Sequence, residues 1–143
     1  MARFFTLLEA ETLLPEIERL LRSIIEVKQH YEAAASELNA ITQRITLTGG
    51  MNAPRERLAR IRARKDASAG ALKSAVERLE EIGVLLKDVD TGLIDFPTLY
   101  RGKEVYLCWK LGETGIAFWH HVEDGFRGRR AIDSDFLSHH RSE

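Results

Sequence analysis

The chain has 143 residues, 44% hydrophobic and 30% charged, with 21 basic against 22 acidic side chains and a net charge of −1. That length can bury a core without disulfide or metal staples, and the composition is that of a globular chain, not a disordered one. A net charge near zero excludes global attraction to nucleic acid or to an anionic membrane, so any such binding needs a local patch.

No apolar run reaches the roughly 18 residues a membrane span needs, and Met1-Ala2-Arg3-Phe4-Phe5 leads into a helix start instead of an apolar signal core. A single cytoplasmic domain over residues 1–143, with no membrane partner, is the expectation. Cys108 is the one cysteine, which suits a reducing compartment and leaves no intramolecular disulfide and no multi-thiolate zinc finger.

Thr6-Leu7-Leu8-Glu9 reads as a capping box, the Thr6 hydroxyl taking the Glu9 amide and the Glu9 carboxylate taking the Thr6 amide. Pro15 costs a backbone hydrogen bond, so a short first helix with a kink or restart at Pro15 and Glu16 is predicted. From Ile17 the apolar positions run Leu20, Ile24, Val27, Tyr31, Ala34, Leu38, Ile41 and Ile45, alternating three and four apart as in a coiled-coil seam. Thr48-Gly49-Gly50-Met51-Asn52-Ala53 then reads as a reversal, and Pro54 opens a second helix.

The second seam, Leu58, Ile61, Lys65, Ser68, Leu72, Ala75, Leu79 and Ile82, keeps the same alternation. Folded back about the glycines it pairs Ile45 with Leu58, Ile41 with Ile61, Leu38 with Lys65 and Ala34 with Ser68. The predicted class is therefore α+β: a capped antiparallel two-helix coiled-coil hairpin over 6–82, packed at its base on a small antiparallel sheet of three to four strands over 83–133. A frayed tail is expected over 134–143.

Gly83 ends the second helix, and Val84–Lys87, Leu93–Leu99, Glu104–Leu111 and Ile116–His121 read as strands, with tight turns at Arg101-Gly102 and Glu113-Thr114. Pro97 predicts an edge strand or a bulge. In that meander Cys108 lies opposite Asp95 on one side and Trp119 on the other. The period-two rule then puts Ile94, Phe96, Val105, Leu107, Trp109, Phe118 and His120 on a core face. The opposite face takes Asp95, Tyr106, Cys108, Lys110, Trp119 and His121, too polar for core and too aromatic for idle surface. Tyr106, Cys108, Lys110 and Trp119 form the candidate binding face.

Asp90 and Asp95 with His120 and His121 supply nitrogen and oxygen donors for a small-molecule or divalent-metal site, although no zinc-helix spacing accompanies them. Cys108 reads as a small semi-buried hydrophobe, since His120 points away from it in this register. Arg127, Arg129 and Arg130, between Gly125 and Gly128, form a candidate anion-binding loop. Arg55, Arg57, Arg60, Arg62, Arg64 and Lys65 form a basic helical stripe, of which Arg57, Arg60, Arg64 and Lys65 are the candidate nucleic-acid contacts. No aromatic residues interleave the stripe for base stacking.

The residues Phe5-Thr6, Glu9-Ala10 and Leu13-Leu14-Pro15, and then Gly83-Val84, Lys87-Asp88, Asp90, Gly92–Pro97, Gly102, Val105–Trp109, Gly112-Glu113, Trp119-His120, Gly125-Phe126 and Gly128-Arg129, carry a likeness. On them the chain resembles a bacterial family catalogued as domain of unknown function 2203. That resemblance implies no activity, cofactor or catalytic residue, but it emphasises Asp88, Asp90, Asp95, Glu113, His120 and Arg129. The function expected is a non-enzymatic protein-interaction or binding module, with another protein or a homodimeric copy as partner. Its alternatives are a small-molecule or metal site in the β region, with hydrolytic chemistry as one form, and nucleic-acid binding by the basic arm. No cofactor is predicted apart from that divalent metal.

Overall fold

A computed structural model describes residues 3–50 and 54–143. Met51, Asn52 and Ala53 of the expected reversal lie outside the described residues. The elements in chain order are α1 (Leu7–Leu47), α2 (Arg55–Ile82), β1 (Leu85–Asp88), β2 (Leu93–Tyr100), β3 (Lys103–Lys110), β4 (Phe118–His121), a 3₁₀ turn (Phe126–Gly128), β5 (Arg130–Ala131), α3 (Ser134–His139) and β6 (His140–Arg141). The α+β class holds: two long packed helices and an antiparallel sheet. The sheet has six strands among the described residues, more than expected. No helix among them is long and apolar enough to cross a membrane.

The chain divides into two compact units, Met1–Arg22 with Val76–Glu143, and Ser23–Ala75. In the second unit the alternating seam is visible as burial. Ala34, Ile41 and Ile61 are buried, and Leu38, Ile45 and Leu58 pack against them, which is the layer pairing that three-four alternation imposes on a hairpin. Lys65, the charged member of the seam, lays its ammonium over the Tyr31 ring at 5.8 Å. Burying its stem while the head meets an aromatic face accommodates a lysine at this position.

In the first unit the capping box forms in both directions: Thr6 N–H donates to Glu9 Oε1 at 3.1 Å and Glu9 N–H to Thr6 Oγ1 at 3.2 Å. The bond from the Thr6 amide holds the Glu9 carboxyl below its ordinary value. Thr6→Ala is expected to cost about 1 kcal/mol of stability, read as a lower midpoint in urea at unchanged slope. Leu7 N–H is taken by His140 Nε2 at 3.0 Å, so a side chain from the far end of the chain also caps α1. Pro15 neither ends nor restarts the helix, correcting the expected break: α1 is continuous from Leu7 to Leu47. Pro15 is exposed, so the carbonyl it deprives of a partner lies on a face that water can reach.

β2 and β3 pair as expected, with Asp95 opposite Cys108. β2 is not an edge strand, however, because β1 and β6 both pair along its other side. β1 covers Leu93–Asp95 and β6 covers Leu99 and Tyr100, and Pro97 falls between them, where its missing N–H breaks no ladder. The Pro97 carbonyl there accepts from Phe5 N–H at 2.7 Å.

The β3–β4 register differs from expectation by one residue. Cys108 lies opposite Phe118, Leu107 opposite Trp119 and Tyr106 opposite His120. A tight turn at Glu113-Thr114 would pair Cys108 with Trp119, but β3 ends at Lys110 and β4 begins at Phe118, leaving a wide loop. Because side chains alternate with period two, that slip moves every β4 residue to the other face. His120 and Phe118 join Asp95, Tyr106 and Cys108, while Trp119 and His121 join Ile94, Phe96, Leu107 and Trp109.

The expected frayed tail is also corrected. Asp133 caps α3 by accepting from Phe136 N–H at 2.8 Å, and Phe136 is fully buried. Its ring stacks on Trp119 with centroids 5.1 Å apart and lies 4.8 Å from Tyr100 and 5.1 Å from His140. Trp119 is thus a core residue, 7% exposed, not part of an open binding face.

Candidate functional site

Three neighbouring strands bring Asp95, Cys108 and His120 to one face, and all three are buried, at 1%, 1% and 3% exposure. The His120 ring has both nitrogens engaged. Nδ1 lies 2.8 Å from the His121 carbonyl oxygen, and since a carbonyl only accepts, Nδ1 carries a hydrogen. Nε2 sits 3.0 and 3.1 Å from the two oxygens of Asp95.

One carboxylate oxygen, Cys108 Sγ and a His120 ring nitrogen all lie within 4.8 Å of one another. Burial, with Asp95 nearby, pushes the Cys108 thiol up to about 12, against an opposing pull from the Arg129 guanidinium. The Tyr106 ring meets His120 edge-on at 5.6 Å. Burial first, then Glu104 and Asp95, raises the Tyr106 phenol above its ordinary value, and Lys87 lies 5.0 Å over its ring.

Asp95 and His120 form the buried part of an open cavity of about 320 Å³. Leu93, Val122 and Phe126 supply its apolar walls, and Lys87, Glu123 and Asp124 its polar rim. Val122 and Phe126 are themselves exposed. The rim comes from the β1 end and the β4–β5 connection, segments that no motif distinguishes in the sequence.

Beside this cavity Arg129 is fixed from three sides. Its guanidinium lies 4.2 Å over Phe118 and 4.5 Å over Phe126, donates to both Glu113 oxygens at 2.7 and 2.9 Å, and reaches the Cys108 carbonyl at 3.3 Å. Glu113 Oε1 also accepts from Lys110 N–H at 2.7 Å. Burial raises the Glu113 carboxyl, but the Arg129 and Lys110 bonds outweigh it, and the net displacement is downward from 4.5. A carboxyl lowered in the folded state stabilises above its unfolded value, and that contribution fades as pH falls through the lower folded one. Glu113→Gln is therefore expected to lower the thermal midpoint at neutral pH. The gap from the parent closes as pH drops below about 4.5, which calorimetric scans across pH measure.

The other predicted site residues do not converge here. Asp90 is exposed in the β1–β2 turn, its N–H donating to Asp88 Oδ1 at 3.1 Å. His121 lies on the Trp119 face, its ring 5.1 Å from that indole, with a buried Nδ1 that has no partner among the described residues. Of the candidate binding face, Tyr106 and Cys108 are buried beside His120, and Lys110 Nζ lies 5.3 Å over Phe126. Of the arginine loop, Arg129 turns inward to Glu113, Arg130 lies 5.6 Å over Trp119 and Arg127 is exposed. In the helical stripe Arg57 and Arg64 both hold Glu37, at 3.2 and 2.9 Å, and Arg60 is exposed.

Neither the curated proteins nor the solved structures give a match to the chain. The family model described as "Uncharacterized conserved protein (DUF2203)" matches residues 3–132, which take in α1, α2, the cavity and the Arg129 clamp. The chain belongs to the DUF2203 family.

Proposed function

We propose that the protein is a non-enzymatic binding module whose ligand enters the cavity over Asp95 and His120. The observation that carries this reading is a buried Asp–His pair exposed only towards an open cavity with apolar walls, the usual make-up of a small-ligand site. Binding fits better than catalysis because the groups suited to chemistry are already engaged. His120 has no free ring nitrogen to take a substrate proton, and a thiol held near 12 is a poor nucleophile.

A cytoplasmic setting suits the single buried free thiol. A homodimer is proposed because symmetric dimers are the commonest oligomer and a long helical arm suits packing on a second copy. Native mass spectrometry of freshly purified full-length protein tests both parts. Extra mass that leaves on denaturation, absent from Asp95→Asn, is expected, on a subunit pair. A bare monomer in repeated preparations contradicts both.

A further inference from the structure

Resting on that reading of the cavity, we infer that Asp95, Cys108 and His120 form a site for one divalent transition-metal ion of the zinc class. They offer a carboxylate oxygen, a sulfur and an imidazole nitrogen, the donor set zinc prefers. The sulfur disfavours magnesium and calcium, which take oxygen ligands. A tetrahedral ion with metal–ligand distances of about 2.0–2.3 Å asks for donor separations of about 3.3–3.6 Å. Nε2 and the Asp95 oxygens are already 3.0 and 3.1 Å apart. All three donors lie within 4.8 Å, so the sulfur has to close by about 1 Å, a shift that rotation about Cα–Cβ of Cys108 covers.

The scaffold favours this assignment in two further ways. The donors stand on β2, β3 and β4, with Asp95 directly opposite Cys108, so paired backbone holds their spacing. The Nδ1–H bond from His120 to the His121 carbonyl leaves Nε2 as the nitrogen aimed at the cluster, the orientation seen in histidines that bind metals; the ion takes the place of the hydrogen between Nε2 and Asp95 and of the thiol hydrogen, releasing both to solvent.

Charge closes the argument. Carboxylate plus thiolate offset a divalent ion with the imidazole neutral, and the neighbouring Arg129 is already neutralised by its two bonds to Glu113. The buried site therefore carries no net charge with the ion in place, which the low-dielectric interior requires. Asp95 and His120 line the cavity, so a fourth position opens on that side for water or a small ligand.

Chelator-treated full-length protein titrated with Co²⁺ tests the inference. Cys108 is the one cysteine, so a thiolate-to-cobalt charge-transfer band has a single source. The expected result is one Co²⁺ per chain with that band, reversed by Zn²⁺ and lost in Cys108→Ala. Affinity should fall by more than about tenfold in Asp95→Asn, which keeps a hydrogen bond to His120 and so the fold. Absence of the band in the parent protein, or its persistence in Cys108→Ala, overturns the metal site. If the band is absent but the native spectrum retains a ligand mass, the metal inference fails and the binding module stands; if both are absent, both fail.

Discussion

Asp95→Ala is expected to lower the unfolding free energy by about 3 kcal/mol or more, a loss measurable by urea unfolding followed through tryptophan fluorescence. The size follows from where the pair sits. Asp95 and His120 are buried together, and removing one partner takes from His120 Nε2 the carboxylate that it meets among the described residues. Asp95→Asn separates this effect from ligand binding. With Nδ1 already carrying a hydrogen, the neutral ring accepts from the Asn side-chain N–H, so the expected cost is only about 1 kcal/mol. Equal losses in the two variants would show that the ring and the carboxylate do not meet.

Phe136→Ala is the second large loss, about 3–5 kcal/mol. The ring is fully buried among Trp119, Tyr100 and His140, so truncation removes its transfer free energy and opens a cavity in an aromatic cluster. The effect should spread, because α3 and β6 are held through the same ring. β6 pairs with Leu99 and Tyr100, and His140 caps α1 at Leu7. Trp119 fluorescence is expected to shift to the red as water reaches the indole. A change under about 0.5 kcal/mol, ordinary for a surface residue, would instead describe a loose tail.

The helical hairpin was legible because its signals are local and periodic. The Thr6–Glu9 box needs residues three apart, and the burial of Ala34, Ile41 and Ile61 follows from spacing alone. Pairing of Asp95 with Cys108 was legible for a related reason: the Arg101-Gly102 turn fixes the β2–β3 register, and both residues have the positive φ such a turn demands, 52° and 79°.

His120 was not, because its face depends on the loop before β4. That loop is shaped by Glu113 turning in to Arg129, 16 residues further on, a partner that no local pattern reveals. With the loop misread as a tight turn, the one-residue slip sent His120 to the core and brought Trp119 out. The resemblance to the family, by contrast, emphasised Asp88, Asp90, Asp95, Glu113, His120 and Arg129; the last four meet around the cavity and its clamp, while Asp88 and Asp90 are exposed away from it. The C-terminal helix was legible in principle. Asp133 followed three residues later by an apolar Phe136 is an N-cap signal, overshadowed by the polar His139-His140-Arg141 beyond it.

The binding site stands or falls on His120, and not His121, meeting Asp95. Double-mutant cycles by urea unfolding measure this directly, pairing Asp95→Ala with His120→Ala and, separately, with His121→Ala. The predicted result is a coupling of more than about 1 kcal/mol for Asp95 with His120 and additivity within about 0.5 kcal/mol for Asp95 with His121. Coupling to His121 with additivity at His120 would contradict it, returning β4 to the other register and dispersing the cluster.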